Sequence, residues 1–185
     1  RDHNPSQRTP YVTYALIAAN IVMYLMTLPG VPGGEWLWAR LALYPLAVVN
    51  GQLLWGLLTH MFLHAGLLHV GGNMLFLWVF GDNLEDQMGH RGFLAFYLAA
   101  GLAAAAGQIA AAPFSPVPMV GASGAIAGVM GGYLLLFPRA RIDVIAIFII
   151  FFKIFTVPAW LVLGAWFALQ VFGGFTVAGD GGGVA

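Results

Sequence analysis

The sequence predicts an all-α protein that crosses a membrane several times, and its composition and apolar runs indicate this fold class. Hydrophobic residues make up 61% of the 185 residues and charged residues 8%, against about 25% charged residues in soluble domains. The mean hydropathy is +0.86. Seven basic and seven acidic residues cancel, so composition does not favour a nucleic-acid partner. The absence of cysteine excludes disulfides, iron–sulfur ligation and a cysteine nucleophile.

Five apolar segments have the length expected of membrane-spanning helices, which need about 20 residues or somewhat fewer when they are buried. They cover residues 11–28, 67–84, 92–112, 123–137 and 155–175. No small-residue cleavage site follows the first segment, so we interpret it as a helix and not as a signal peptide. We therefore expect one membrane domain over residues 1–185 that begins with a short cytoplasmic tail, residues 1–10.

Two further stretches are too interrupted or too short to span a membrane. Residues 33–60 contain four glycines, one proline and two charged residues, but also three tryptophans, which is typical of a segment in the lipid headgroup layer. Residues 144–152 provide only nine apolar positions before Lys153, so we place them at the opposite interface. A longer, tilted fifth helix that includes residues 144–152 is the alternative.

The distribution of basic residues predicts the orientation of the chain. With a cytoplasmic N-terminus, six of the seven lysines and arginines lie on the cytoplasmic side, and only Arg40 lies outside. The odd number of spans then places the C-terminal residues outside. Glycines at positions 124, 128 and 132 repeat once per helical turn, which lets helices pack closely and predicts a central position for the fourth span.

Three polar side chains in the spans are candidates for function, since polar groups in a membrane are costly. His69 and Asn73 lie four residues apart on one helical face, and Ser123 begins the fourth span. A helix from Ser123 to its inner end is about 22 Å long, so Ser123 lies roughly 8 Å below the surface of a hydrocarbon layer of about 30 Å. Counted outward from Glu85, His69 lies about 24 Å and Asn73 about 18 Å away. The three groups are therefore expected at one level.

This grouping suits acyl transfer. Ser123 can act as a nucleophile, and His69 and Asn73 can stabilise the oxygen that becomes negative in a tetrahedral intermediate. The free N–H groups at the start of the helix, near Gly124, add positive potential. Glycines beside the serine allow a substrate backbone to approach closely.

Two motifs resemble those of the rhomboid intramembrane serine proteases. The run GASGAIAG, residues 121–128, resembles the family's G-x-S-G motif, and HMFLHAGLLHVGGN, residues 60–73, is similar to its second-helix pattern that ends in H-x-x-x-N. The resemblance implies a six-helix core, of which this chain holds five helices. It also implies cleavage of transmembrane segments of other membrane proteins near their outer ends, without a cofactor. We expect a prokaryotic plasma membrane, with the site opening to the outer side.

The resemblance also assigns roles to individual residues. Ser123 would be the nucleophile, and His69 and Asn73, with the N–H of Gly124, would hold the oxyanion. Structural positions near the site would be Gly121, Gly128, His60, His64 and Glu85. A substrate helix would enter between the second and fifth helices.

The chain departs from the family pattern at two positions. The family's general-base histidine lies on a sixth helix, and none of His3, His60, His64, His69 and His90 is a convincing substitute, so the 185-residue chain alone is expected to be inactive. Because Asp82, Asp86 and Asp143 are predicted on the inner side, we expect a Ser–His dyad and not a triad. In the first loop many members carry Trp-Arg, whereas this chain has Trp55-Gly56.

Other interpretations remain open at this stage. Ser123 could be a small residue in a helix interface, and the upstream histidines could bind a metal, although H-E-x-x-H is absent and no metal site is expected. The acidic run at residues 81–89 is most simply a solvated turn in which Glu85 alone makes a structural bond. A rhomboid-like pseudoprotease that binds transmembrane clients without cleaving them, or a small transporter, is the alternative function.

Overall fold

The computed structural model describes residues 6–148 and 151–168, and most of them are helical. The helices in chain order are α1 (Tyr11–Met26), α2 (Gly34–Leu41), α3 (Pro45–Val49), α4 (Gly56–Thr59), α5 (Leu67–Ala111), α6 (Ser123–Leu136) and α7 (Ala159–Ala168), with a 3₁₀ turn at His60–Phe62 between α4 and α5. Strands β1 (Arg141–Phe148) and β2 (Phe151–Pro158) pair antiparallel, with Arg141 opposite Pro158.

Helix α5 contains both the second and the third predicted spans. It is divided at Gly89, whose φ of 70° and ψ of 161° are not helical, into a first arm, residues 67–88, and a second arm, residues 90–111. Each arm is about 33 Å long, which matches the thickness of a bilayer. Within the described residues, α5 is the helix that is long and apolar enough to cross a membrane, and α1, α6 and α7 are shorter apolar helices. The count of five spans stays a prediction.

Helix α6 packs closely against the second arm of α5, as its glycine spacing predicts. A Cβ atom added at Gly124 would lie 2.3 Å from Cβ of Ala104, and one added at Gly128 would lie 2.4 Å from Cβ of Ala100. Neither position has room for a side chain. The packing of small residues along this interface is therefore confirmed, and it fixes the height of α6 against α5.

The segment between α1 and α5 forms short helices and does not span, in agreement with the sequence. It is fastened to the segment that precedes α6, because Leu43 and Met119 exchange both backbone hydrogen bonds, at 3.1 and 2.8 Å. Ala42 and Leu43 are fully buried beside Val120. This contact brings the first loop to the end of the molecule where α6 begins.

The prediction of a fifth helix over residues 155–175 is wrong at its start. Residues 155–158 belong to β2, α7 begins at Ala159, and residues 169–175 lie outside the described residues. The hairpin also rules out a longer helix through residues 144–152. Valine, isoleucine and phenylalanine dominate this run and favour strands, and Pro158 biases the residue before it toward an extended backbone. Across the hairpin, the Thr156 hydroxyl donates to Asp143 at 2.7 Å.

The acidic run near the end of the first arm of α5 is not a solvated turn. The arm stays helical to residue 88, and the chain turns at Gly89. Asp82 accepts a hydrogen bond from the Ser6 hydroxyl at 3.2 Å, and Asp86 accepts one from the Arg8 backbone N–H at 3.0 Å. These bonds dock residues 6–8 onto α5, so Glu85 is not alone in making a structural contact.

Candidate active site

Ser123 is the first residue of α6 and is half-buried. The N-cap residue Ala122 makes no side-chain cap, so in the described part of the chain the N–H groups of the first turn are available to a ligand. The approach to the helix is held in place by Gly121, whose N–H donates to the carbonyl oxygen of His60 at 2.9 Å. The position of the serine is thus set by the 3₁₀ turn before α5 as well as by α6.

Gly121 also brings Ser123 and His69 to the same small space. A Cβ atom at Gly121 would lie 2.7 Å from Nε2 of His69 and 3.7 Å from Oγ of Ser123. Its φ of +121° is a backbone conformation that glycine adopts readily and other residues avoid. Two independent constraints therefore require glycine here: the backbone angle and the space that the His69 ring occupies.

Asn73 is connected to His69 through His64. The Asn73 amide nitrogen donates to Nε2 of His64 at 3.0 Å, and the rings of His64 and His69 meet edge to face, 5.0 Å apart. Burial, and to a lesser degree the neighbouring His69, lowers the pKa of His64 to about 4. His64 is therefore neutral at pH 7 and can accept the proton of the Asn73 amide, which fixes the orientation of a buried carboxamide.

His60 is buried and its hydrogen bonds hold backbone segments together. Its ring nitrogen Nδ1 lies 2.8 Å from the carbonyl oxygen of Gly56, and since a carbonyl only accepts, Nδ1 carries the proton. Burial lowers the pKa of His60. The ring thus ties α4 to the 3₁₀ turn, while the backbone oxygen of the same residue holds Gly121.

Glu85 lies at the opposite end of the first arm of α5 and caps α1. Its carboxylate accepts the N–H groups of Val12 and Thr13 at 2.9 and 2.8 Å and the Thr13 hydroxyl at 2.8 Å. These are orphan donors of the first turn of α1, and a negative charge is favourable there. His90 also bonds to Glu85, a contact that the sequence analysis did not foresee.

The described residues contain no group of three side chains suited to holding a metal ion. A groove of about 410 Å³ opens between α1 and the first arm of α5. It is lined by Tyr14, Ile17, Gly71, Met74, Leu75 and Trp78. Neither Ser123 nor His69 contributes to this groove, so the polar cluster and the groove are separate features.

The structure therefore brings together the residues that the sequence selected for chemistry. Ser123 and His69 share the space over Gly121, and Asn73 joins them through His64. Gly124 follows Ser123 in the first turn of α6, and Gly128 packs against α5. His60 makes a structural hydrogen bond just before the first arm begins, and Glu85 makes one near its other end.

The described residues thus form an apolar, mostly helical protein in which a serine, histidines and an asparagine cluster at one end. The chain belongs to the rhomboid family, since residues 51–183 match the Rhomboid domain. The resemblance found in its motifs is confirmed by this match.

Several relatives carry the word rhomboid in their names. The chain is 40% identical over 129 residues to the rhomboid protease GluP of Bacillus subtilis, covering 68% of this chain and 24% of that protein. It is 34% identical over 128 residues to the putative rhomboid protease YdcA of the same organism, covering 69% and 62%. It is 30% identical over 176 residues to Rhomboid protein 1, mitochondrial, of Saccharomyces cerevisiae, covering 91% and 45%.

The chain thus spans less than two thirds of the length of each of these relatives. Members of the rhomboid family are integral membrane proteins. Because the relatives come from bacteria and from mitochondria, the prokaryotic plasma membrane stays a prediction, as does the orientation of the chain.

Proposed function

We propose that this chain provides the nucleophile and the oxyanion-binding groups of a rhomboid-type intramembrane serine endopeptidase, which cleaves transmembrane segments of other membrane proteins near their outer ends. One observation carries the proposal: Oγ of Ser123 and Nε2 of His69 lie within 4 Å of a single point above Gly121. A carbonyl group placed over that glycine would meet a nucleophile and a hydrogen-bond donor at once.

In the proposed reaction Ser123 attacks the carbonyl carbon of the scissile peptide bond. The carbonyl oxygen becomes negative and is stabilised by the N–H of Gly124 and the side chains of His69 and Asn73. Collapse of the intermediate breaks the C–N bond, and the amine leaves with the proton that the serine gave up. Water then hydrolyses the acyl-enzyme and regenerates Ser123.

The general base of this scheme is a histidine outside the 185 residues. Three histidines of the chain are already engaged: His60 with a backbone carbonyl, His64 with Asn73 and His90 with Glu85. His69 faces Ser123, and we assign it to the oxyanion. If His69 were the base, the 185-residue chain would be sufficient for catalysis, whereas our assignment predicts that it is inactive.

Substrate entry is proposed between the first arm of α5 and α7. The rings of Phe76 and Trp166 meet there with centroids 5.7 Å apart, so these two side chains must separate to admit a helix. The substrate must also unwind locally, because a helical carbonyl is already hydrogen-bonded. Helix-breaking residues in the substrate should therefore increase cleavage.

Cleavage of a transmembrane reporter by the full-length protein in liposomes tests this function. We expect Ser123→Ala to reduce the rate by a factor of about 10³ or more. Ser115→Ala is the matched control, because this serine lies in the loop before α6 and its hydroxyl accepts the backbone N–H of Val117, away from the cluster of Ser123 and His69. Cleavage that survives Ser123→Ala refutes the proposal, and a wild-type protein that binds the reporter without cleaving it favours a pseudoprotease.

A second experiment separates the two possible roles of His69. The 185-residue chain and the full-length protein are compared with a fluorophosphonate probe that labels activated serines. We expect labelling of the full-length protein and little or none of the 185-residue chain. Equal labelling of both would show that the base lies within the chain and would make His69 the base.

A further inference from the structure

Arg40 is held between two tryptophan rings in the first loop. Its guanidinium carbon lies 5.7 Å from the ring centroid of Trp36 and 5.2 Å from that of Trp55, both within the range of a cation–π interaction. The indole N–H of Trp55 also donates to the backbone oxygen of Arg40. Trp55 therefore contacts both the backbone and the side chain of Arg40, and Trp36 contacts its side chain.

Gly56 follows Trp55 at the position where many members of the family carry arginine, and the structure shows that this position has no room for a side chain. A Cβ atom at Gly56 would lie 2.8 Å from the backbone oxygen of Ala42 and 3.2 Å from Cα of Leu43. Both neighbours are fully buried backbone and cannot move away, so no side chain fits directly after Trp55. The guanidinium near the Trp55 ring is instead that of Arg40, from α2.

The clamp lies on an apolar, exposed surface with one positive charge. Trp36 is 64% exposed, Leu54 50% and Leu58 44%. Glu35 lies five positions before Arg40 on α2, about 140° around the helix axis. In the part of the chain that the structure describes, no carboxylate forms an ion pair with Arg40. Arg40 is itself exposed, so its guanidinium is a cation without an ion pair among the described residues, on a surface that is costly to expose to water.

We propose that the Trp36–Arg40–Trp55 clamp is a binding site for the phosphate of a phospholipid. Exposed indoles prefer the headgroup layer, and arginine binds phosphate through paired N–H donors. A soluble phosphate would leave the leucines around the clamp in water, whereas a phospholipid covers them with its acyl chains. Since the Leu43–Met119 pairing joins this loop to the segment before Ser123, the bound lipid would anchor the active-site end of the molecule in the headgroup layer.

Native mass spectrometry of the full-length protein, titrated with phosphatidylglycerol in a non-ionic detergent, tests the site. One arginine near an anionic lipid contributes about 1 kcal/mol, so Arg40→Gln should weaken binding of the first lipid about fivefold. Arg139→Gln is the matched control, because Arg139 is also exposed but has no aromatic clamp among the described residues; its effect should stay within about twofold.

Two further measurements make the result decisive. Trp36→Leu removes one exposed ring without touching the backbone contact and should weaken lipid binding about twofold to threefold, in the lower range of one cation–π contact. Inorganic phosphate should displace the lipid no better than chloride at equal ionic strength. Unchanged affinity in both Arg40→Gln and Trp36→Leu overturns the proposal, and Arg40-dependent displacement by inorganic phosphate overturns the lipid as ligand. Because Ser123→Ala should bind lipid normally, the outcome is independent of the proposed protease function.

Discussion

Gly121→Ala is the substitution whose consequence the geometry determines most sharply. The new methyl group would lie 2.7 Å from Nε2 of His69, well inside van der Waals contact. The φ of +121° at this position adds a backbone strain of about 1–3 kcal/mol. We expect the free energy of unfolding to fall by at least that amount, because either the ring or the loop before α6 must move. We also expect labelling of the full-length protein by a fluorophosphonate to slow by a factor of about 10².

Gly131→Ala is the control for this experiment. Gly131 also belongs to α6, but a Cβ atom there has no neighbour within 4 Å among the residues that the structure describes, and alanine favours a helix over glycine by about 1 kcal/mol. This variant should unfold at the same or a higher temperature and label at the wild-type rate. If Gly121→Ala behaves like Gly131→Ala in both assays, the proximity of Gly121, His69 and Ser123 is refuted.

Three further predictions concern stability and are measured by thermal or denaturant unfolding in detergent. Glu85→Gln should destabilise the protein by about 1–3 kcal/mol, because an amide N–H₂ would face the donors at the start of α1. Asp86→Asn should cost less than about 1 kcal/mol, because Asp86 pairs with the exposed Arg8 side chain at 4.0 Å. Equal effects would contradict the capping role. Gly128→Ala should be destabilising, because the new Cβ atom would lie 2.4 Å from Cβ of Ala100. Ala100→Gly removes that neighbour and should recover part of the lost stability in the double variant. If the stability changes of the two single variants simply add in the double variant, the contact is excluded. The pKa of His64 is about 4 in the folded state and about 6.5 when unfolded, so the unfolded chain binds the proton first as the pH falls. Stability is therefore lost between pH 6.5 and pH 4, by at most about 3 kcal/mol. His64→Gln should show a weaker pH dependence of stability, and an unchanged pH dependence would contradict the burial of a neutral ring.

Much of the fold could be predicted because long apolar runs carry a strong signal. Helices α1 and α6 begin where the sequence places them, and the glycines that set the contact of α6 with α5 are visible as a spacing of four. The hairpin of β1 and β2 could not be predicted in the same way. Half of it, residues 144–152, is a continuous apolar run without a period of 2 or 3.6, and such a run does not distinguish a strand from a buried helix.

The candidate site was predictable in its members but not in its connections. Helix length and rise per residue place Ser123 level with His69 and Asn73, and the structure brings Ser123 and His69 to one glycine. That His64 lies between His69 and Asn73 depends on the path of the loop before α5, which no local pattern specifies. The bond of His90 to Glu85 likewise depends on the turn at Gly89.

The clamp around Arg40 could likewise be predicted only in part from the sequence. The sequence identifies Arg40 as the lone outer cation and places Trp36 one helical turn before it, but the contact with Trp55 joins residues 15 positions apart and arises from tertiary packing. Composition indicated a segment in the headgroup layer. Only the packing of α2 against α4 indicates which lipid group that segment would bind.

The most direct measurement of the central claim is a structure of the full-length protein after reaction with a fluorophosphonate. The phosphorus should be bonded to Oγ of Ser123, and the phosphonyl oxygen should lie within hydrogen-bond distance of the Gly124 N–H and the side chains of His69 and Asn73. An adduct on another residue, or a phosphonyl oxygen directed away from both side chains, would contradict the account.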